Sequence, residues 1–183
     1  QLIRTDLERI RLTPHFIKNA LTNVEQLISV GKAEEAQRYT ERFNRLMNRV
    51  LTNSRQQYIT LAEELEMMRD YLSLEADRVG NSLEWRVNVT KDVDIDEVVL
   101  PPMILQPLLE NALKYGADLK SGKGEVKLNV RKENDRVICS IEDNGQGIDI
   151  PTSKPEETVG GIRKTSSNGL RITRERLQLF SDL

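Results

Sequence analysis

Apolar residues in the first thirty positions recur every three or four residues. The positions that share this spacing are Ile3, Leu7, Ile10, Pro14, Ile17, Leu21, Val24 and Ile28. Steps that alternate between three and four residues form a heptad seam, which is typical of a helix packed along another helix. Pro14 is the unusual occupant, because a proline inside a helix removes a backbone donor and crowds the preceding turn. The pattern predicts an amphipathic helix with a local break at Pro14.

A second and a third helix follow this one. After the short link "SVGK", the rhythm resumes at Ala36, Tyr39, Phe43, Leu46 and Val50, and a third pattern at Leu61, Leu65, Met68 and Leu72 ends near Gly80. The short link makes the first two helices antiparallel neighbours. Two amphipathic helices alone leave their apolar stripes partly covered. We therefore predict a homodimer in which two such hairpins form a four-helix bundle.

The hydrophobic period changes to two after Gly80. The stretch "SLEWRVNVT" alternates apolar and polar residues, which indicates a strand, and "GEVKLNVRKENDRVICSIEDNG" predicts a hairpin joined around Glu133–Asp135. Between them, "VVLPPMILQPLLENALKYGA" predicts a helix that starts at Pro101 and Pro102 and runs to Gly116. The end of the chain predicts a loop from Ile148 and a final helix capped by Asn168.

This order of elements predicts an α+β protein with two domains. Residues 1–58 would form the helical hairpin and residues 59–183 a domain of helices layered on an antiparallel or mixed sheet. The chain begins at Gln1 within a helical pattern, so we expect it to be a fragment. No run approaches the roughly 20 apolar residues that a membrane-spanning helix needs.

Composition narrows the choice of partners and compartment. Charged residues make up 31% of the chain with a formal net charge of −2, which does not favour direct binding to nucleic acid. The single cysteine, Cys139, excludes an internal disulfide and fits a reducing compartment. Its apolar, strand-like surroundings predict a buried side chain and not a reactive thiol.

Three short motifs occur in an order that suits a nucleotide. In "EDNGQGID", Asp143 at a strand end can accept a hydrogen bond from an exocyclic amine, and Gly145 and Gly147 allow close approach of a ligand to the backbone. In "LLENALKYG", Asn111 offers an amide oxygen to Mg²⁺, Lys114 offers a charge to phosphates, and Tyr115 is the next neighbour of Asn111 on a helical face. In "SSNGLRI", Gly169 stands at a helix start, where free N–H groups suit phosphate.

These motifs resemble those of the Bergerat-type ATP-binding domain of histidine kinases. Asn111 resembles the asparagine of the N-box, "DNGQG" the first glycine box, and "NGL", with Gly169 and Leu170, the second. Together with "PHFIKNAL", they make nearly the whole chain similar to LytS-type sensor kinases. The resemblance implies ATP and Mg²⁺ as cofactors, Asn111 holding the metal through the ATP phosphates, and a cytoplasmic fragment of a sensor anchored in the inner membrane by segments absent from this sequence.

The resemblance also implies that His15 is the phosphoacceptor. A neutral imidazole nitrogen is a competent nucleophile near neutral pH. Asn19 is one helical turn beyond His15 and could orient the ring or steady the phosphoryl group. The phosphoryl group would then pass to an aspartate on the receiver domain of a response regulator.

Two departures from the family pattern keep other functions open. Ser167 stands where the family usually has a glycine, and the chain stops at Leu183, where the family fold continues with two more strands. We therefore expect weak nucleotide binding by this fragment. The alternatives are a dimeric scaffold with an unproductive nucleotide site and an ATP hydrolase. A related hydrolase uses an acidic residue to activate water, and the hydrolase is disfavoured because Pro107, not an acidic residue, stands one turn before Asn111.

Overall fold

The computed structural model describes residues 14–80, 82–117, 123–134 and 136–145. The described part of the chain begins with three helices. Helix α1 spans Pro14–Ser29, α2 spans Ala33–Ser54 and α3 spans Leu61–Arg78. Gly31 in the link has a φ of 78°, a left-handed conformation that glycine adopts without steric cost. The predicted hairpin is confirmed, since α1 packs on α2. Both helices also contact α3.

Helix α3 starts at a capping box. The Thr60 hydroxyl accepts a hydrogen bond from the Glu63 N–H at 3.2 Å, and the Glu63 carboxylate accepts one from the Thr60 N–H at 2.8 Å. Two otherwise unpaired donors are satisfied in this way. On the surface, Arg42 pairs with Asp77 and Arg49 pairs with Glu66, so charges as well as apolar contacts join α2 to α3.

A three-stranded mixed sheet follows the helices. Its strands are β2 (Leu83–Val89), β4 (Gly124–Glu133) and β5 (Arg136–Asp143), in the order β2-β4-β5. Strand β2 is parallel to β4, and β4 is antiparallel to β5. The predicted strands and the hairpin are confirmed, and the fold class is α+β. The structure adds an unpredicted antiparallel pair of two-residue strands, β1 (Ile59–Thr60) and β3 (Val99–Leu100).

The helix between β3 and β4 begins later than the sequence pattern predicts. Residues 101–105 form turns, and α4 spans only Gln106–Asn111 before a π-helical turn, π1, at Ala112–Gly116. The predicted start at Pro101 and Pro102 is therefore wrong. A residue that precedes a proline, as Pro101 does, is disfavoured in the helical region, and Met103 has a left-handed φ of 60°. The N–H of Ala117 donates to the Ala112 carbonyl at 2.7 Å, the five-residue bond of a π-helix.

One hydrophobic core joins the helices to the sheet. The hairpin contributes Phe16, Tyr39, Leu46 and Val50, helix α3 contributes Leu65 and Leu72, and the sheet contributes Val126, Leu128 and Val130. Helix α3 packs against the hairpin and against β2, and so it is buried on more than one side. The predicted domain boundary between residues 58 and 59 stays a prediction.

The buried face of α1 is not the predicted heptad seam. Phe16, Ala20 and Asn23 are buried, whereas Leu21 is 56% exposed and Ile28 is 61% exposed. Ile17 and Val24 of the seam are half-buried against the core, so the seam runs along the border of the buried face, with Leu21 and Ile28 on its exposed side. Among the described residues, no helix is both long and apolar enough to span a membrane.

Removing core volume from α3 should destabilise the protein strongly. Leu65 is fully buried, so Leu65→Ala is expected to lower the free energy of unfolding by about 2–5 kcal/mol. Urea denaturation followed by circular dichroism measures this loss. Leu51→Ala is the matched control, since Leu51 is 38% exposed. Equal losses for both variants would contradict the described core.

Candidate functional site

His15 lies in the first turn of α1 with its ring exposed. The side-chain amide nitrogen of Asn19 lies 3.3 Å from Nδ1 of His15. The contact follows from the i, i+4 spacing, which places both residues on one face of the helix. Because Asn19 meets Nδ1, Nε2 is the ring nitrogen that Asn19 does not engage.

Phe16 anchors the helix beside the exposed imidazole. Its side chain is 2% exposed, and its ring centroid lies 5.9 Å from that of Phe43 and 4.8 Å from that of Tyr71. Tilted ring pairs at these distances are favourable. Neighbouring residues on an α-helix point about 100° apart. Phe16 can therefore be buried while His15 remains in solvent.

Tyr71 connects this anchor to the helix that carries Asn111. Burial raises the pKa of Tyr71 well above its usual value, and the nearby carboxylates of Glu75 and Glu110 add to the effect. Burial also raises the pKa of Tyr39 to about 12, with Glu75 as the largest charged contributor. Both phenols therefore stay protonated near neutral pH. Tyr71 contacts Phe16 on α1, and the negative charge of Glu110, the residue before Asn111, contributes to its raised pKa.

Asn111 and Lys114 lie where α4 passes into the π-helical turn. Asn111 is half-buried and ends α4, and Lys114 is exposed within π1. Between them, Ala112 and Leu113 are buried. The α-helical spacing expected from the sequence does not hold here, because π1 adds a residue to the turn and changes the relative directions of these side chains. Tyr115 lies in the same turn, and its side chain is outside the described part of the structure.

Asp143 ends strand β5 at the start of the glycine-containing turn. Its Oδ1 accepts a hydrogen bond from the N–H of Gly145 at 3.0 Å, which holds the turn in a fixed shape. The second carboxylate oxygen, Oδ2, can accept a hydrogen bond from a ligand. The π-helical turn packs against β5. The fold thus brings the Asn111–Lys114 segment to the strand that ends at Asp143.

Asn144 is a contributor that the sequence analysis missed. Its side-chain oxygen accepts from the N–H of Glu125 at 2.8 Å, and its side-chain nitrogen donates to the carbonyl of Lys123 at 2.7 Å. These bonds tie the end of β5 to the start of β4. The only sequence signal is an asparagine between a strand end and a glycine, a position that favours hydrogen bonds to nearby backbone.

The remaining predicted site residues lie outside the described part of the chain. These are Gly147, Gly169 and Leu170. The structure therefore brings together the π-helical turn and the Asp143 turn, and it places His15 with Asn19 on a separate helix.

Cys139 is partly buried in the middle of β5. Burial raises the pKa of its thiol to about 11, and the charge of Glu64 adds to the shift. The thiol is therefore protonated at neutral pH, and the prediction of an unreactive side chain agrees with this environment.

Two family descriptions match successive parts of the chain. Residues 4–83 match the family described as histidine kinase. Residues 98–181 match the family described as histidine kinase-, DNA gyrase B- and HSP90-like ATPase. The two matches follow the order of the helical hairpin and the nucleotide motifs, and they contain every residue of the candidate site.

Several curated relatives are similar over most of this chain. YwpD of Bacillus subtilis, named as uncharacterized, is 31% identical over 174 residues, which cover 93% of this chain and 59% of that protein. The sensor protein LytS of Staphylococcus epidermidis is 29% identical over 159 residues, 87% of this chain and 26% of LytS. The sensor histidine kinase BtsS of Escherichia coli is 30% identical over 134 residues, 73% of this chain and 23% of BtsS. The chain thus spans 59% of the first and about a quarter of the others.

The raised pKa of Cys139 predicts slow alkylation of the folded protein. At pH 8 the native thiol should react with iodoacetamide far more slowly than the same thiol in urea, where its pKa returns to about 8.5. The native rate should rise as the pH approaches 11. Mass spectrometry at timed intervals measures both rates. Equal rates in the folded and unfolded chains would contradict this environment.

Proposed function

We propose that this chain, which matches the histidine kinase and ATPase family descriptions and is similar to the sensor protein LytS, is a histidine kinase that phosphorylates His15 from Mg-ATP. The observation that carries the proposal is an exposed imidazole whose Nδ1 meets Asn19 while the neighbouring Phe16 is held in the core. A side chain that must reach a nucleotide needs solvent access, and its helix needs a fixed position. Both conditions are met at residues 15 and 16.

The proposed transfer uses Nε2 as the nucleophile. The Asn19 amide nitrogen lies at Nδ1 in the structure. For the transfer, the side-chain amide turns over so that its oxygen accepts the Nδ1 proton, and Nε2 then keeps its lone pair. Nε2 attacks the γ-phosphorus of ATP, an N–P bond forms, the bond to the β,γ-bridging oxygen breaks, and ADP leaves. The Nδ1 proton then passes to solvent. In a second step, a carboxylate oxygen of an aspartate on the receiver domain of a response regulator takes the phosphoryl group.

The ATP would lie between the Asp143 turn and the π-helical turn. We propose that Asp143 Oδ2 accepts from the adenine amino group, while Gly145 and Gly147 let the nucleotide approach the backbone. Gly169 and Leu170 would approach the phosphates. The packing of π1 against β5 supports this placement.

Asn111 and Lys114 fit the metal and the phosphates of this substrate. An amide oxygen is a hard ligand, and Mg²⁺ is usually held by few protein oxygens together with waters and phosphates. Bound Mg²⁺ supplies positive charge to the β- and γ-phosphates. Lys114 is exposed, so its ammonium group can follow the phosphates. We further propose that Tyr115 lines the site.

The exposed heptad seam supports a homodimer. Leu21 and Ile28 are more than half exposed, and Ile17 and Val24, which pack on one side against the core, are partly exposed beside them. A second copy would bury this stripe and form the four-helix bundle. We also propose that the chain is the cytoplasmic part of a larger membrane-anchored sensor, since it matches about a quarter of proteins named as sensors.

Phosphorylation of His15 is tested with γ-labelled ATP and Mg²⁺. The parent chain should acquire acid-labile label, and His15→Gln should acquire none, because glutamine lacks the nucleophilic nitrogen. Asp143→Asn should bind ATP about tenfold more weakly, because the ligand amine loses a charged acceptor. Filter binding and acid lability measure the two effects.

Glu142→Gln is the matched control for Asp143→Asn, since Glu142 lies one residue away and bonds to Asn129 at 3.2 Å. It should bind ATP as the parent does. Nucleotide binding without label would favour the scaffold, and free phosphate from both parent and His15→Gln would favour the hydrolase. Unchanged affinity in Asp143→Asn would contradict the adenine assignment.

A charge in the heptad seam should separate the dimer. Leu21→Glu would place a carboxylate in an apolar interface, where an unpaired charge is costly. Light scattering on a sizing column should then give the monomer mass where the parent gives twice that mass. Gln26→Glu, at an exposed position off the seam, is the control and should stay dimeric. A parent that runs as a monomer would contradict the proposed dimer.

A further inference from the structure

We infer that Glu64 is a positioning residue for Asn111, and the inference rests on the proposed nucleotide site. Glu64 lies on α3 and is fully buried. Its Oε2 accepts from the N–H of Met103 at 2.7 Å, and its Oε1 accepts from the N–H of Leu105 at 2.9 Å. Both donors belong to the turn that leads directly into α4.

The turn needs an acceptor from elsewhere in the chain. Pro102, Met103, Ile104 and Leu105 are all buried. Buried N–H groups that find no partner are costly, so they are almost always paired. Leu105 is the residue that precedes α4, and its own side chain makes no capping hydrogen bond. The carboxylate of Glu64, about forty residues earlier in the chain, accepts from the N–H of this N-cap residue, as the N3 carboxylate of a capping box does.

Glu64 also holds an unfavourable backbone conformation. Met103 has a φ of 60°, which side chains other than those of glycine, asparagine and aspartate rarely adopt. Such a conformation persists where the surroundings fix it, and it is found at functional sites. The charge-assisted bond to the Met103 N–H fixes it here. Burying a glutamate costs more free energy than burying an apolar residue. The two hydrogen bonds to the turn offset part of this cost.

The position of the turn decides that of Asn111. Helix α4 has six residues, and Asn111 is the last of them. Since α4 is only six residues long, a displacement of the turn is passed to Asn111, which leads directly into π1. Glu64 therefore acts on the amide of Asn111 through the starting point of α4, without touching the nucleotide.

The inference is tested by binding of Mg-ATP to four proteins, each as the full chain. These are the parent, Glu64→Gln, Asn111→Ala and the double variant. An amide can accept one of the two N–H groups, but its NH₂ group opposes the other. Glu64→Gln should therefore bind Mg-ATP about tenfold more weakly, as partners of metal ligands typically do when changed. On the Asn111→Ala background, it should cause no further loss.

A merely structural role gives a different result. In that case Glu64→Gln would weaken binding by the same factor on both backgrounds, or would lower the melting temperature while leaving the affinity unchanged, and either outcome overturns the inference. Glu66→Gln is the control, since Glu66 is exposed on the same helix, and it should bind as the parent does. Glu64→Asp, which keeps the charge but withdraws it by one methylene, is the second variant if Glu64→Gln does not fold, and it should show the same dependence on Asn111.

Failure of the inference and failure of the proposed function are distinguishable. If the parent binds Mg-ATP and Glu64→Gln binds equally well, only the inference is overturned. If the parent does not bind Mg-ATP, the nucleotide site itself is contradicted, and the role of Glu64 is overturned with it.

Discussion

The burial of α3 on several sides is the constraint on which the other parts of this fold depend. The helix supplies Leu65 and Leu72 to the common core, Tyr71 to the aromatic group around Phe16, and Glu64 to the turn before α4. The hairpin with His15 and the segment with Asn111 are therefore both positioned against one rigid element. Long side chains on opposite sides of a single helix keep a constant relative arrangement, because close-packed interiors transmit displacement instead of absorbing it.

The sequence predicted most of the regular elements, because their causes are local. The helix period of the first eighty residues and the strand period of Leu83–Val89 are visible in neighbouring positions alone. The turn at residues 101–105 was not predictable in this way. Its shape depends on the carboxylate of Glu64, which lies about forty residues away, and on a left-handed Met103 that no propensity scale favours. The π-helical turn likewise has no signature in the spacing of apolar residues.

The residues of the candidate site show the same difference between local sequence signals and contacts that only the structure reveals. Asp143 and Asn111 were singled out by residue type, by the order of the motifs and by their resemblance to a known family, and their role in nucleotide binding stays a prediction. Geometry was needed for Asn144, whose importance lies in its bonds to Lys123 and Glu125 on another strand. The face of α1 that is buried in its own chain also could not be predicted from the sequence. A heptad seam predicts that a stripe is covered, but not whether the cover is the same chain or a second copy, and here Leu21 and Ile28 remain exposed.

The pairing of Phe16 with Tyr71 has a mechanical consequence for any signal that arrives along α1. His15 and Phe16 are consecutive on one helix, so a twist that swings the imidazole through some angle must swing the aromatic ring through the same angle. That ring packs against Phe43 and Tyr71. A small torque on α1 is therefore resisted by these contacts, and a larger one has to displace the ring from them. Rotation of His15 about the axis of α1 is thus coupled to the aromatic packing of the core.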